Sequence, residues 1–167
     1  IYQNKNDYTL ASRKHDILIQ LMNGQSQKVE GEDDNLDEIS MCGRNPYGKE
    51  FPNHEEELIN RLPKILRTND SILNKSFEEF DRVFKKHLFT AEFSDELFLP
   101  LLAFIGRSFN KCYDTNWAMK YNTLFNTWIP DIKEENEFKK MYKPLLEILN
   151  PDSNNFYPIR SVFMTKD

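Results

Sequence analysis

The chain has 167 residues, of which 39% are hydrophobic and 29% are charged, and its formal net charge is −5. This length and composition predict one globular domain that can bury a core without disulfides or metals. The negative charge argues against a domain whose main partner is a nucleic-acid backbone, because that affinity comes from clustered Lys and Arg.

The N-terminal part of the chain is predicted to hold a docking helix and a linker. Residues 1–24 carry an apolar stripe at helical spacing that stops before Gly24, which predicts a short docking helix. Residues 25–52 are predicted to be an acidic flexible linker, with six acids between Glu30 and Glu38 and turn-forming residues after them. Because these acids repel one another and few apolar residues accompany them, we expect residues 25–50 to be mobile.

Residues 53–150 are predicted to form a helical domain. Its clearest helix begins at Ser76, where Ser-Phe-Glu-Glu is a capping box that precedes apolar residues at helical spacing. Other helices are predicted from apolar stripes, three of which contain a proline: Asn53 to Leu66 with Pro63, Ser94 to Phe109 with Pro100, Trp117 to Trp128, and Phe138 to Leu149 with Pro144. Residues 151–167 are predicted to be an extended tail. The predicted fold class is all-α, an irregular bundle of proline-bent helices with a long acidic loop.

The stretch NWAMKYNTLFNTWIP holds both tryptophans of the chain. Trp117, Tyr121, Leu124 and Trp128 are separated by steps of four, three and four, which predicts one face of a helix. Such a face is either a seam in the core or an exposed anchor for a partner. We favour the core for Trp128, since Pro130 marks where its helix ends. Trp117 follows a polar stretch and is the one candidate partner-binding residue.

No motif in the chain predicts catalysis. GRNPYGKE, from Gly43, is similar to a phosphate-binding loop until Glu50, which stands where a Ser or Thr hydroxyl should reach magnesium. A turn-rich loop is therefore the favoured interpretation. The carboxylates after Pro130, including Asp131 and Glu134, resemble the acidic start of a helix rather than a pair of acid-base groups. We predict no enzymatic activity, no catalytic residue and no cofactor.

No metal site, disulfide or membrane span is predicted either. The three histidines lie in separate segments and none is at metal-ligand spacing: His15, His54 and His87. Cys42 and Cys112 form no C-x-x-C pair. Lys85, Lys86 and His87 are interpreted as a solvated helix turn in preference to a nucleic-acid contact. No run approaches the roughly 18 apolar residues of a membrane span.

The order of the predicted elements carries a resemblance to a known family. SFEEFDRVFKKHLF is followed by Pro100-Leu101-Leu102, then by Phe109, Trp117 and Trp128. This order, over residues 55–150, resembles the GCF-like helical domain of the tuftelin-interacting protein family of G-patch splicing factors. The residues after Trp117 are Ala-Met-Lys, where the family prefers Asp-Pro-Leu.

The resemblance implies a function for the chain. It implies a non-catalytic nuclear scaffold of the late spliceosome, whose partners are other spliceosomal proteins and a DEAH-box helicase that releases the lariat intron. The alternative is a helical protein-protein interaction module outside splicing. FNTWIPDIKEENEF has a passing likeness to a Trp-containing segment of the Bcl-2-like fold, although Gly106-Arg107 is not preceded by the Asn-Trp of that fold. An enzyme is the third class, and it lacks a recognisable cluster of polar groups.

Overall fold

The computed structural model describes residues 38–87, 89–135 and 137–152, except for the side chain of Phe138. These residues form helices and a three-stranded antiparallel sheet in the order β1-β2-β3. The predicted all-α fold class is therefore wrong, and the domain is mixed α and β. The docking helix predicted for residues 1–24, the linker up to residue 37 and the tail beyond residue 152 lie outside the described residues.

The elements follow one another in a simple order. Residues 38–41 are helical, and two short 3-10 helices lie at Gly48–His54 and Asp70–Asn74. The α-helices are α1 Glu55–Asn60, α2 Leu62–Ile65, α3 Phe77–Phe84, α4 Ala91–Tyr113 and α5 Tyr142–Ile148. The strands, which lie between α4 and α5, are β1 Asn116–Asn122, β2 Thr127–Glu134 and β3 Glu137–Lys139.

The capped helix and the central helix are both confirmed. The hydroxyl of Ser76 accepts a hydrogen bond from the Glu79 N–H at 3.3 Å and begins α3 as its capping box predicts. Helix α4 has 23 residues and carries Pro100 inside it. It begins earlier than predicted, because the Thr90 hydroxyl caps it by accepting from the Phe93 N–H at 3.1 Å. Ser94 is buried in the helix that follows.

Two of the prolines begin helices instead of bending them. Pro63 is the second residue of α2, and Pro144 is the third residue of α5. The first amides of a helix have no partner within it, so proline loses no hydrogen bond at these positions. Of the three prolines assigned to bent helices, only Pro100 lies deep inside one.

The helix predicted from Trp117 to Trp128 is instead the β1-β2 hairpin. Tyr121 pairs with Trp128 across the hairpin, and residues 123–126 form its turn. A step of four preserves the alternation of a strand, so Trp117 and Tyr121 suit a strand as well as a helix. The single step of three, from Tyr121 to Leu124, falls at the turn, where the alternation of side chains between the two faces of a strand is interrupted. Pro130 lies opposite Met119 of β1, and no hydrogen bond to β3 is lost there because the pairing of β3 with β2 begins only at Ile132.

One face of the hairpin packs on the helices through Trp117. A Cβ built on Gly106 of α4 would lie 2.2 Å from two carbon atoms of the Trp117 ring. The absence of a side chain at Gly106 is therefore what lets the hairpin approach α4 so closely. Trp128 is half-buried on β2, with its ring centroid 5.0 Å from that of Tyr121. Neither tryptophan forms the helical seam that the sequence suggested.

The described part of the predicted linker contributes to the core. Met41, Cys42 and Phe51 are each at most 2% exposed. These three residues pack with the apolar side chains of α1, α4 and the sheet. The core therefore begins before residue 53, where the helical domain was predicted to start, because the acidic stretch is followed at once by apolar residues that can be buried.

Candidate anion-binding cleft

A cleft of about 670 Å³ lies between α2, the connection from α3 to α4, and the beginning of α4. We call it the cationic cleft. Its lining combines three cations with an imidazole, a carboxylate and two apolar side chains: Arg61, Lys64, Arg67, His87, Glu96, Ile65 and Phe93. The three cations recur at intervals of three residues, from Arg61 before α2 to Arg67 after it, and all three line the cleft. The three positive charges therefore lie around one opening.

Arg67 lies just after α2 in the left-handed conformation, with φ = +53°. Its N–H donates to the Lys64 carbonyl at 3.2 Å, and the Thr68 N–H donates to the Pro63 carbonyl at 2.8 Å. This pair of bonds is the Schellman motif that ends a helix, in which glycine usually takes the left-handed position. A residue with a Cβ costs about 1 kcal/mol there. Arg67 thus holds this conformation at a cost to stability.

His87 forms one wall of the cationic cleft. Its ring is stacked on Phe93, with centroids 5.0 Å apart and planes 9° from parallel. Its Nε2 lies 2.9 Å from the carbonyl oxygen of Leu66. Because a carbonyl oxygen only accepts, Nε2 carries a proton and donates it. This bond ties the end of α2 to the connection between α3 and α4.

Two cations of the cleft are available to an external anion. Lys64 and Arg67 are exposed, and their side chains have no carboxylate partner among the residues that the structure describes. Arg61 differs, because it donates to Glu57 one turn earlier, and that hydrogen bond raises the pKa of Arg61. Glu96 is the carboxylate in the lining and opposes anion binding. The cleft therefore favours an anion, mainly through Lys64 and Arg67.

The cationic cleft belongs to a locally basic part of an acidic chain. Residues 61–87 contain seven Lys and Arg against four Asp and Glu, a net charge of +3, whereas the whole chain carries −5. The spacing of Arg61, Lys64 and Arg67 was a signal that the sequence offered and that our interpretation of it missed. His87 was interpreted as part of a solvated turn, and only the fold brings it to the cations.

Trp117, the predicted partner-binding residue, does not line the cationic cleft. It is half-buried on β1, and its ring meets Phe51 edge-on with centroids 5.0 Å apart. The indole N–H donates to the carboxylate of Glu55, which also accepts from Arg107 Nε at 2.7 Å. These contacts give Trp117 a structural role, and its part in partner binding stays a prediction.

The stretch similar to a phosphate-binding loop has a different structure. Helical residues 38–41 precede it, where a phosphate-binding loop follows a strand. Lys49 is exposed in the first 3-10 helix. The amide of Asn45 donates to the carbonyl oxygens of Gly48 at 2.9 Å and of Trp128 at 3.0 Å. The loop thus joins the first 3-10 helix to the hairpin.

The other histidines lie apart from the cationic cleft. His54 is stacked on Tyr47 with centroids 4.2 Å apart, and its Nδ1 lies 3.2 Å from the Glu57 carboxylate. His15 lies outside the described residues. Within the described ranges, no group of three or more His, Cys, Asp or Glu side chains is placed to hold a metal ion.

Asp131 is the most unusual titratable group away from the cationic cleft. It lies on β2, is fully buried, and neither carboxylate oxygen has a hydrogen-bond partner among the described residues. Burial raises the pKa of Asp131 to about 7, against the opposing effects of Lys120 and Lys140. The nearby Glu38 carboxylate accepts from Lys120 Nζ at 3.1 Å and from Asn122 Nδ2 at 2.8 Å. Because Asp131 is sealed from solvent, it affects stability rather than ligand binding.

Among the helices that the structure describes, none combines the length and apolar character needed to cross a bilayer. Comparison with protein-family models, curated proteins and solved structures finds no match to the chain.

Proposed function

We propose that this chain is a non-catalytic interaction domain that binds an acidic segment of a protein partner in the cationic cleft. The observation that carries the proposal is Arg67, a cation held in a strained left-handed position beside Lys64 and without a carboxylate partner among the described residues. Glutamate and aspartate carboxylates form charge-assisted hydrogen bonds with such groups.

The composition of the cleft supports a protein ligand in preference to a nucleic acid. Ile65 and Phe93 contribute apolar surface beside the cations, which suits a peptide that carries both carboxylates and aliphatic groups. Glu96 and the net charge of −5 both oppose a long phosphate backbone. In this proposal Lys64 and Arg67 hold the carboxylates of the peptide, and Ile65 and Phe93 contact its apolar groups.

Fluorescence anisotropy with a labelled hexaglutamate peptide at low salt tests the proposal. We expect Lys64→Glu to weaken binding by about tenfold, since it replaces a charge-assisted interaction with a repulsion. Lys49→Glu is the matched control, because it makes the same charge change at an exposed site outside the cleft. An equal loss in both variants would show that bulk charge alone attracts the peptide, and would reject the cleft.

The splicing role is a second proposal, and it rests on the family resemblance. Helix α3 forms at Phe77–Phe84 within SFEEFDRVFKKHLF, whereas the stretch from Trp117 to Trp128, for which the resemblance implies a helix, forms a hairpin. The proposal is a nuclear scaffold that joins other spliceosomal proteins and a DEAH-box helicase. A pull-down from nuclear extract, scored for spliceosomal proteins and lariat RNA, tests it. Enrichment no greater than that of an unrelated acidic protein would reject it.

A further inference from the structure

A second cavity lies on the other side of the backbone at residues 67–68 and 86–87, which we call the ridge. It has a volume of about 300 Å³, and we call it the basic groove. Arg67 and His87 line the cationic cleft, and their chain neighbours Thr68 and Lys86 line the basic groove. Consecutive Cα atoms are about 3.8 Å apart, so at these two places one step along the chain separates the linings of the two cavities. The His87-Leu66 hydrogen bond holds the two sides of the ridge together.

The basic groove repeats the chemistry of the cationic cleft. Its charged lining consists of three cations and one carboxylate: Lys75, Arg82, Lys86 and Glu79. Lys75 and Lys86 are exposed and have no carboxylate partner within the described part of the chain. Arg82 makes an exposed pair with Glu78 at 3.5 Å, a geometry that contributes little. Like the cationic cleft, the basic groove therefore presents positive charge that has no carboxylate partner among the described residues.

Each cavity also places an aliphatic surface beside its cations. The half-buried Val83 lines the basic groove, as the half-buried Ile65 lines the cationic cleft. A simple polyanion would gain nothing from these side chains. A peptide with acidic and apolar residues would bury them while its carboxylates meet the cations.

We infer that one acidic segment of a protein partner occupies both cavities, crossing the ridge, and carries its carboxylates in two groups. This inference rests on the proposed function, because it extends the same ligand from the cationic cleft into the basic groove. Charge complementarity supports it, as do the two pairs of chain neighbours that divide the cavities. The spacing of the two acidic groups would then select the partner.

Two labelled peptides of equal length and equal glutamate content test the inference. Both have about twelve residues, which span about 40 Å when extended. One carries its glutamates in two runs separated by neutral residues, and the other carries a single run at one end. We expect the two-run peptide to bind more tightly to the wild-type chain. We expect the Lys75→Gln/Lys86→Gln variant to lose about fivefold in affinity for the two-run peptide, and less than twofold for the other.

Control variants distinguish the contribution of the basic groove to affinity from that of the cationic cleft. Lys49→Gln should change neither affinity, and a thermal melt of each variant should show an unaltered fold. If the groove variant binds both peptides like the wild type while Arg67→Gly weakens both, the inference is overturned and the proposed function stands. If Arg67→Gly also changes nothing, the proposed function fails. Tighter binding of a single-stranded oligonucleotide of equal charge would overturn the assignment of a protein partner.

Discussion

At the scale of single residues, Asp131 links the stability of the domain to pH. Its carboxyl group has an ordinary pKa of 3.8 and a folded-state pKa of about 7. Between these values the folded state holds a proton that the unfolded state has lost, so the free energy of unfolding falls as the pH rises toward 7. The pKa difference corresponds to about 4 kcal/mol, reached above pH 7.

Asp131→Asn should remove this pH dependence, because an amide of the same shape does not ionise. We expect the free energy of unfolding of the variant, relative to the wild type, to rise by about 4 kcal/mol between pH 4 and pH 8. Urea unfolding of both proteins at a series of pH values measures this difference. The contributions of groups that titrate in both proteins cancel in it. Parallel curves would mean that Asp131 titrates in its ordinary range.

Glu96 offers a gain of function in the cationic cleft. It is exposed, and it is the carboxylate of the lining. Glu96→Gln keeps the size of the side chain and removes a repulsion, so we expect hexaglutamate to bind about twofold to fivefold more tightly. Glu92→Gln is a suitable control, because it makes the same change at an exposed residue of α4 outside the lining. Equal gains in both variants would argue against direct repulsion by Glu96.

At the scale of elements, the packing of the hairpin on α4 depends on Gly106. Alanine usually stabilises a helix relative to glycine by about 1 kcal/mol. Here its Cβ would meet the Trp117 ring at 2.2 Å, a distance that forces the ring or the hairpin to move. We expect Gly106→Ala to lower the free energy of unfolding by about 3 kcal/mol, as measured by urea unfolding.

Replacing Trp117 in the same chain tests the cause. In the double variant Gly106→Ala/Trp117→Leu the clash is relieved, so its loss of stability should be smaller than the combined loss of the two single variants. If the losses simply add, Gly106 and Trp117 do not act through this contact.

The elements also show which features can be predicted from sequence. Helix α3 was predictable because its cap, Ser76, and its apolar stripe are local and agree with one another. The hairpin was not, because the spacing of Trp117, Tyr121 and Trp128 suits both a helix and two strands, and only tertiary pairing decides between them. The same limit applies to the site. The spacing of Arg61, Lys64 and Arg67 is visible along the sequence. His87 and Glu96 join these cations only in the folded structure.

At the scale of the whole molecule, charge is distributed unevenly. Residues 61–87 carry +3 within a chain of −5. A partner with a long, uniformly negative surface is repelled by much of the protein, whereas a short acidic segment can reach the cationic cleft alone. We expect hexaglutamate binding to weaken as salt rises, because Lys64 and Arg67 are exposed and salt screens them. Affinity unaffected by salt would point to apolar contacts instead.

The most direct test of the central claim is to measure peptide affinity and melting temperature together for Arg67→Gly. Glycine suits the left-handed position at the end of α2, so the melting temperature should stay the same or rise. The affinity for hexaglutamate should fall by about tenfold, because the arginine is lost from the cleft. Unchanged affinity in this stably folded variant would contradict the claim that the cationic cleft binds acidic segments.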